Sequence, residues 1–587
     1  MRRICTFLLT LCVIGLTSIQ CTPEAAPGTP GENTGSADGL KPSAILRKVA
    51  VHTDKARYAP GEPVVFTADK APKNYIVRYW HLGDVLKEEV LSSTSWTWNP
   101  PTDDFKGYYV EIVGMDKDGI EKTMGAVAVD VSSDWTRFPR YGFLSQFGLV
   151  SDVKMTLVLE NLKNHHINAL QYYDWMCDHH KPLAGTPDDP EEEWYNIISN
   201  TFYRSTVAGY IDLAHDYSIA SMFYDLAFGA MEWAAEDGVK EEWYVFKDTN
   251  HSRKDYHSLS SPFKSSIYLV DPGNDEWLQY FGDNVDDVYE VFDFDGFHID
   301  QLGNRGNWYT YSGQKIDAPA AYGKFINFMD GRNPEKKHAF NAVSRFGQAQ
   351  IAAAKTDFLY NEVWTTGYGE IKGIIDQNYG LAPEKNTVLA AYMNYKQTGN
   401  FNTPAVLLMD AVTFALGGSH LELGEHMLCN EYFPNSDVKM DNELIDALPN
   451  YYDFLTGYEN LLRDGAAYVN LSVSSDDVNM AEYEPVKGAV NYFAKRKDNY
   501  TIIHLLNFTD AIHLDWRDDS QTQAEPQEIK DVTISLRSAA NVKKAWVASP
   551  DVNGGVPMAV DTKKGAMSIS IPVPYLKYWT MVVLETE

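Results

Sequence analysis

Two carboxyl groups stand at the ends of two short apolar segments. Asp300 ends the segment 294–300, and Glu362 ends the segment 358–362. Both segments have the composition of buried β-strands, with polar or glycine residues at their flanks. Cleavage of a glycosidic bond requires one carboxyl group that attacks or stabilises the anomeric carbon and a second that protonates the leaving oxygen. The pair therefore predicts a sugar-cleaving site, provided that the fold brings both strand ends together.

An alternation of strands and helices from about residue 140 to 460 supplies such a frame. Strands that alternate with helices predict a parallel sheet, and eight units predict a closed (β/α)8 barrel, or TIM barrel, with its active site at the carboxyl ends of the strands. Asp300 lies on the fourth predicted strand and Glu362 on the sixth, so both would face one central space. The other six predicted strands begin near Ile167, Ser218, Ser266, His338, Thr387 and Ser419.

The connection between the second and third predicted strands is irregular. It runs from about residue 229 to 264 and contains no clean pattern of helical spacing. Long connections without secondary structure are often functional loops. We therefore predict an extended loop beside the active site.

Short alternating strands occupy both flanks of the central region. Those between residue 44 and about 133 have the spacing of an immunoglobulin-like β-sandwich, without the cysteine pair of true immunoglobulin domains. From about residue 466, further short β runs predict a C-terminal β-sandwich. The predicted fold is multidomain, with the immunoglobulin-like domain at 44–135, the barrel at 136–465 and the second sandwich at 466–587.

The first residues have the pattern of a targeting segment. Arg2 and Arg3 precede an apolar run from residue 7 to 19, which is too short for an ordinary membrane span. Cys21 follows at the predicted cleavage point, as in a bacterial lipoprotein signal, although Gln20 leaves a plain secretory signal open. Residues 1–21 are thus a predicted signal peptide, and 22–43 a flexible linker. The chain would be exported, and either anchored by lipid at the cell surface or in the periplasm, or secreted.

Charge and composition exclude some ligand classes. The chain has 81 acidic and 50 basic residues, which gives a formal net charge of −31. Such a charge argues against nucleic acid, whose binding depends on Lys and Arg at the phosphates, and against anionic polymers. A neutral ligand follows. Aromatic residues make up 13% of the chain, mostly for packing in β domains and in part for stacking on sugar rings.

The remaining strand ends are rich in aromatic and polar residues. Aromatic faces pack on the apolar side of a pyranose ring, and carboxylates and amides bond its hydroxyls. An isolated Asp at a strand end is more often a helix N-cap, and some of the aromatic residues would simply cap the core. The predicted substrate-binding residues are Tyr173, Asp174, Trp175, His179, Tyr224, Asp225, Gln301, Asn361, Trp364, Tyr392, Asn394, His420, Glu422 and Glu425.

Metal ions and disulfides have little support in the sequence. The spacing of His420 and His426 is not a common zinc spacing, and no cysteine cluster accompanies them. We therefore predict no metal and no cofactor. Cys177 and Cys429 could pair, but two buried free thiols are the favoured interpretation.

Around the carboxyl pair and the predicted substrate-binding residues, the chain resembles glycoside hydrolase family 66. That family comprises endo-dextranases and cycloisomaltooligosaccharide glucanotransferases acting on α-1,6-glucan. The resemblance implies a retaining double displacement, with Asp300 as nucleophile and Glu362 as acid/base. It also implies the domain order given above. The segments that carry it are collinear: 171–175 with 179–182, 300–303, 361–364, 420–425, 431–435 and 503–508.

Three functions stay open. The first is an endo-acting dextranase that releases isomaltooligosaccharides, and the second is a glucanotransferase with the same site. Glucanotransferases of the family typically carry an inserted carbohydrate-binding module, and no stretch between the strands is long enough for one. The third is a non-catalytic glycan-binding lipoprotein, which has no need of two carboxyl groups. Another linkage, such as α-1,4, also stays open.

The proposed roles require opposite protonation states at the two carboxyl groups. Asp300 has to be ionised to attack, whereas Glu362 has to hold a proton near neutral pH. The charge of Asp300 is expected to raise the pKa of Glu362, and partial burial to add to that effect.

Overall fold

The computed structural model describes residues 48–538 and 541–587. The predicted signal peptide, the linker and the lipidation site at Cys21 lie outside these residues. The described chain is multidomain and mostly β-structure, with its helices concentrated in the central region. Within these two ranges, no helix is both long enough and apolar enough to cross a membrane.

Two antiparallel sheets build the region before residue 135. Side chains point alternately to the two faces of a strand, and the alternate buried positions of Val64–Ala68 form the inner face of one sheet. Phe66 of that sheet and Val110 of the other belong to one apolar core. The strands are Val51–Thr53, Val64–Ala68 and Ser95–Trp98 in the first sheet, and Asp84–Val90, Ile76–His81, Lys106–Met115 and Glu121–Val131 in the second.

Eight parallel strands form the central region and are divided between two sheets. Neighbours within each sheet all run parallel and are buried on both faces, as in sheets that helices cover on both sides. The first to fifth parallel strands are Tyr141–Leu144, Ala169–Tyr172, Ala220–Leu226, Gly296–Asp300 and Lys337–Phe340. The sixth to eighth are Leu359–Glu362, Thr387–Ala390 and Gly418–His420.

The two parallel sheets touch at both of their edges. Asn341, after the fifth strand, forms a parallel bridge with Tyr360 in the sixth. At the other edge, the Phe143 N–H donates to the Leu423 carbonyl at 3.0 Å. These are isolated contacts rather than ladders. The predicted parallel arrangement is confirmed, but among the described residues the hydrogen-bonded pattern is two sheets and not one closed barrel.

Two of the predicted strand positions are corrected. The predicted third strand near Ser266 is wrong, because Ile267–Leu269 pairs antiparallel with Gly229–Ala230 and Tyr256–His257 in a separate small sheet. Conversely, Tyr141–Leu144 was not predicted, since four buried residues show no alternation and only pairing with Ala169–Tyr172 makes them a strand. The two errors cancel in the count, so the fourth and sixth parallel strands still end at the two carboxyl groups.

Helices follow most of the parallel strands, and polar residues cap several of their first turns. The side chains of Ser151, Asn274 and Asp317 accept hydrogen bonds from the first backbone N–H groups of their helices, which would otherwise have no partner. The predicted connection between residues 229 and 264 contains no α-helix. The α-helices are Asp152–Asn164, Arg204–Asp216, Asp275–Val291, Ala318–Arg332, Gln348–Ala353, Tyr368–Leu381, Thr403–Leu416, Asn442–Gly457 and Glu459–Leu462.

The C-terminal region again consists of two sheets around one core. Ile503 and Val582 of a seven-stranded sheet share that core with Ile534 and Ile571 of a four-stranded sheet. The larger sheet contains Ala467–Val469, Met480–Glu482, Val490–Lys497, Tyr500–Asn507, Val542–Ala548, Met558–Ala559 and Trp579–Thr586. The smaller sheet contains Val473–Ser474, Ile529–Leu536, Lys563–Lys564 and Ile569–Leu576.

Short strands and the cysteines complete the fold. Cys177 and Cys429 are both free, which confirms the predicted free thiols, although Cys177 is only partly buried. Four short strand pairs lie in the connections: Gly185–Thr186 with Asp189–Pro190, Glu193–Tyr195 with Thr201–Tyr203, Trp308–Tyr309 with Lys315–Ile316, and Gly399–Asn400 with Val438–Lys439.

Candidate active site

One amide group joins the two carboxyl groups. The Nδ2 atom of Asn341 donates to Oδ1 of Asp300 at 2.8 Å and lies 3.3 Å from Oε2 of Glu362. Because both distances start at the same nitrogen, the two carboxylate oxygens are at most about 6 Å apart. The carboxyl ends of the fourth, fifth and sixth parallel strands thus converge on one point.

Asp300 receives three hydrogen bonds. Its Oδ2 accepts from the Tyr224 hydroxyl at 2.8 Å, and its Oδ1 accepts from the Gln301 N–H at 2.7 Å as well as from Asn341. Burial raises the pKa of Asp300, and these three donors oppose the rise by stabilising the charged form. The donor set is suited to a carboxylate.

Glu362 is a buried acceptor too, and its pKa is raised like that of Asp300. Its Oε1 accepts from the Tyr392 hydroxyl at 2.7 Å. Burial first, and the neighbouring charge of Asp300 second, raise the pKa of Glu362 to about 7. The direction is the predicted one, but burial contributes more than the charge does. At neutral pH this carboxyl group can therefore hold a proton.

Both carboxyl groups open into a cavity of about 660 Å³, which we call the active-site cavity. Its walls differ in character. Aromatic side chains lie on one side, where Tyr173 stacks on Phe433 with 4.2 Å between ring centroids. Aliphatic and small-ring residues form another part of the lining: Ile197, Ile198, Leu259, Pro262, Ile267, Leu302 and Val343.

Seven of the fourteen predicted substrate-binding residues line this cavity: Tyr173, Asp174, His179, Tyr224, Gln301, Trp364 and Tyr392.

Asp174 has a left-handed backbone with φ of 50°, a conformation that costs energy for a residue with a side chain. Burial raises the pKa of its carboxyl group to about 7. Like Glu362, it is thus an acidic side chain at the cavity that can be neutral near pH 7.

Asp225, a predicted substrate-binding residue, lies behind the lining of the active-site cavity. Its Oδ1 is 2.7 Å from Nδ1 of His179, and its side chain is fully buried. Burial opposes protonation of His179, but the hydrogen bond and charge of Asp225, together with the charges of Asp174 and Asp178, raise the pKa of the imidazole. Nε2 of His179 has no hydrogen-bond partner among the described residues. Asp225 therefore orients a histidine whose second nitrogen remains available at the cavity wall.

Three more predicted substrate-binding residues lie outside the cavity lining. Trp175 is fully buried in an aromatic cluster with Trp194, Phe223, Phe292 and Phe294. The Asn361 amide donates to Gln348 and accepts from Asn378 inside the protein. Glu425 accepts from the backbone N–H groups of Ser145 and Gln146. The side chains of all three residues thus have partners inside the protein.

His420 and Glu422 belong to a sealed cluster with Asp410, not to the cavity. Nδ1 of His420 is 2.9 Å from Oδ1 of Asp410 and 3.3 Å from Oε2 of Glu422, while its Nε2 is 2.7 Å from the Ala391 carbonyl. These ligand types and distances could also hold a metal ion, since all three ligand atoms lie within 4.8 Å of one another. The distances equally match charge-assisted hydrogen bonds, and the two carboxylates raise the pKa of His420.

Asn394 holds a loop of the C-terminal region against the site. Its N–H donates to the Arg517 carbonyl at 2.8 Å, and its Nδ2 donates to the Asp518 carbonyl at 2.6 Å. Nearby, the Trp516 N–H donates to the Thr366 carbonyl at 2.7 Å. The loops that follow the sixth and seventh parallel strands are thus bonded to residues 516–518. Asn394, a predicted substrate-binding residue, is outside the cavity lining and has this supporting position instead.

Several residues of the cavity were missed from the sequence. Asn341 is the most important, and its signal was available, because it lies within the predicted fifth strand and directly after the observed strand Lys337–Phe340. His298 precedes Asp300 by two positions, and burial lowers its pKa to about 3, so it lies neutral beneath the carboxyl pair. The other missed lining residues include Gln171, His257, Phe263, Tyr360, Glu431, Tyr432 and Phe433. Most of them come from loops, whose path cannot be inferred from strand spacing.

Comparison with known proteins identifies the family to which the sequence is similar. The sequence profile of glycosyl hydrolase family 66 matches residues 53–583. The chain is 26% identical, over 708 aligned residues, to a cycloisomaltooligosaccharide glucanotransferase from Niallia circulans, covering 91% of this chain and 71% of that protein. It is 25% identical, over 566 aligned residues, to a dextranase from Streptococcus salivarius, covering 82% of this chain and 68% of that protein.

A crystal structure shares the fold. It is that of a Paenibacillus sp. cycloisomaltooligosaccharide glucanotransferase complexed with cycloisomaltoheptaose. The TM-score is 0.84 at 24% sequence identity, and the superposition covers 91% of this chain and 99% of that one. At this level of identity the likeness concerns the fold.

Proposed function

The chain belongs to glycosyl hydrolase family 66, and we propose that it is a retaining, endo-acting glycoside hydrolase that cleaves the α-1,6-glucosidic bonds of dextran to isomaltooligosaccharides. The observation that carries the proposal is the carboxyl pair joined by Asn341 at the floor of the active-site cavity. Its substrate would be neutral, in keeping with a net charge of −31.

The spacing of the pair supports retention. The two N–H bonds of an amide diverge by about 120°, so acceptors at 2.8 and 3.3 Å from Nδ2 of Asn341 lie about 5 Å apart. Retaining glycosidases have carboxyl groups about 5–5.5 Å apart, whereas inverting ones leave about 6.5–9.5 Å for a water molecule. A direct attack by one of the carboxylates is therefore favoured.

In the proposed reaction, Asp300 attacks the anomeric carbon while Glu362 gives its proton to the leaving glycosidic oxygen. The glycosyl ester on Asp300 is then opened by water, whose proton Glu362 takes back. The donors around Asp300 favour its charged form, and the pKa of about 7 at Glu362 allows it both to give and to take a proton near neutral pH.

We favour hydrolysis over transfer as the assignment because this chain lacks internal segments that a related glucanotransferase has. The alignment with the Niallia circulans glucanotransferase extends over 708 residues, more than the 587 residues of this chain, so that enzyme contains internal segments with no counterpart here. A missing internal segment agrees with the absence of an inserted carbohydrate-binding module. The glucanotransferase is the second candidate, since relatives with that name match more of this chain than the dextranase does.

We also propose the finer architecture implied by the family. The two parallel sheets would together form the (β/α)8 barrel of residues 136–465, which the contacts at both edges support. The flanking sheet pairs would be the immunoglobulin-like domain of 44–135 and the C-terminal sandwich of 466–587. Export by residues 1–21, with lipid on Cys21 or with simple secretion, is a further proposal that mass spectrometry of the mature N-terminus would test.

Product analysis tests the function directly. The protein without residues 1–21 is incubated with dextran, and the products are separated by size. Short linear isomaltooligosaccharides with a rapid fall in polymer size are expected. Cyclic products would make the transferase the correct assignment, and a protein that binds dextran without cleaving it would remove the catalytic roles of Asp300 and Glu362.

A further inference from the structure

A small antiparallel sheet forms part of the wall of the active-site cavity. Its strands are Gly229–Ala230, Ile267–Leu269 and Tyr256–His257, with Ile267–Leu269 in the middle. Both edge strands lie in the connection of residues 229–264 that the sequence predicts to be an extended loop. The middle strand comes directly after that connection. The sheet is thus an addition to the parallel strands rather than part of them.

The two faces of this small sheet have different surroundings. Successive side chains of a strand point to opposite faces. Ile267 and His257, which pair with each other, line the active-site cavity. Tyr268 and Tyr256 also pair with each other, and they lie on the other face, outside the cavity lining. One sheet therefore presents an inner face to the cavity and an outer face away from it.

Tyr256 and Tyr268 form a stacked pair on the outer face. Their ring centroids are 5.3 Å apart, with 26° between the ring planes. Tyr256 is 45% exposed, and Tyr268 is partly exposed. Below them, the buried ring of Tyr244 meets Tyr268 edge-on at 6.4 Å. We call Tyr256 and Tyr268 the tyrosine platform.

The platform is held in place by a charged network. Arg305 donates to both carboxylate oxygens of Asp255, at 3.0 and 2.6 Å, and to the carbonyl of Tyr256 at 2.9 Å. The Trp308 indole N–H also donates to Asp255, at 2.8 Å. The backbone of the exposed tyrosine is thus fixed before any ligand arrives, which lowers the entropy lost on binding.

The chemistry of the platform suits a neutral sugar polymer. An exposed aromatic ring offers an apolar face to the C–H side of a pyranose, and a hydroxyl at its edge. The exposed Glu232 is close enough for its charge to contribute, after burial, to the raised pKa of Tyr268, so a carboxylate acceptor for sugar hydroxyls lies beside the rings. The large negative net charge of the chain disfavours an anionic polymer.

We propose that the tyrosine platform is a second binding site for α-glucan, on the outer face of the sheet whose inner face lines the active-site cavity. The proposal rests on the proposed function, because the polymer bound is the polymer cleaved. A chain held at the platform would be kept near the cavity between cleavage events. The site would therefore act on long polymers and not on oligosaccharides that fill only the cavity.

Affinity electrophoresis tests the proposal. Native gels with and without dextran are run in a Glu362→Gln background, so that the polymer stays intact. Tyr256→Ala and the double variant Tyr256→Ala/Tyr268→Ala are expected to raise the apparent Kd for dextran by roughly five- to tenfold, the loss of one stacked sugar contact. Tyr379→Ala is the matched control, because Tyr379 is 43% exposed but lies on the helix Tyr368–Leu381 outside the cavity lining.

Kinetics give the second measurement. In the active enzyme, the same platform variants are expected to raise KM for dextran and to leave kcat/KM for isomaltotriose within about twofold of wild type. Unchanged gel retardation of the double variant would overturn the platform. An equal loss on dextran and isomaltotriose would also overturn it, because that pattern indicates a disturbed cavity wall.

The two proposals can fail separately. If wild type cleaves dextran but the Glu362→Gln parent shows no platform-dependent retardation, the platform is wrong and the proposed function stands. If the parent is retarded through the tyrosines but wild type releases no product, the binding site stands and the hydrolase is wrong.

Discussion

Two clusters of buried acidic groups lie in the same parallel-strand region, and they differ in what occupies the space between the carboxyl groups. In the cavity, the neutral amide of Asn341 joins Asp300 to Glu362 at one side and leaves the other side open. In the sealed cluster, the imidazole of His420 fills the gap between Asp410 and Glu422.

Both clusters contain a carboxyl group with a raised pKa. It is about 7 for Glu362 and about 8 for Asp410, and burial is the first cause in both cases. Each cluster also includes a tyrosine hydroxyl that donates to a glutamate, from Tyr392 at 2.7 Å and from Tyr452 at 2.9 Å. A shifted pKa alone therefore does not identify a catalytic group. Access to a cavity separates the two clusters.

The largest expected difference concerns the chemical step. Asp300→Asn and Glu362→Gln should each lower kcat on dextran by about a thousandfold or more, because in the proposed reaction each removes a group that forms or breaks a bond. Circular dichroism and thermal unfolding should match wild type. A variant with near-normal kcat and intact folding would take its residue out of the proposed mechanism.

A substitution in the sealed cluster is expected to lower the stability of the fold rather than the rate of the reaction. His420→Ala leaves two buried carboxyl groups facing each other without a cation, so we expect the free energy of unfolding to fall by about 3 kcal/mol or more. Denaturant titration measures this fall, and kcat per folded molecule should change little. A large loss of kcat at unchanged stability would mean that the sealed cluster takes part in catalysis.

A smaller effect is expected at the amide of the cavity. Asn341→Ala removes a donor to both carboxyl groups, and misplacement of the pair should lower kcat by roughly ten- to a hundredfold. Because the Asn341 hydrogen bond lowers the pKa of Glu362, its loss should also move the alkaline limb of the pH profile to higher pH. An alkaline limb that stays in place or moves to lower pH would contradict this account.

The last prediction is a pH dependence in wild type. In the proposed mechanism Glu362 acts as an acid only while it is protonated. We therefore expect kcat/KM to be at its full value below the Glu362 pKa of about 7 and to fall about tenfold per pH unit above that pKa. On the acid side, activity should fall as Asp300 gains a proton, and its raised pKa places that limb above the usual range of an aspartate. A profile that stays flat to pH 9 would argue against Glu362 as the acid.

The sequence located the buried carboxyl pair of the cavity better than it located the residues around it. Asp300 and Glu362 could be predicted because strand ends are local features and parallel strands bring them to one edge. Side-chain direction could not be predicted in the same way. His420 and Glu422 lie at a strand end just as the lining residues do. His420 instead contacts Asp410 of a buried helix, and Glu422 contacts His420, inside the protein.

Loops account for most of the remaining misses. Ile197, Phe263 and Phe433 lie far from the strand ends in sequence, and only tertiary packing brings them to the cavity. The strand Tyr141–Leu144 was missed for a related reason, because four buried residues carry no period and only their partner strand defines them.

The bonds between residues 516–518 and the loops at Thr366 and Asn394 limit how the protein can be divided into working parts. A fragment that ends near residue 465 would keep all eight parallel strands and both acidic groups, but it would lose the partners of the two loops that follow Glu362 and Tyr392. Fusions or exchanges should therefore carry the C-terminal sheets along with the parallel strands.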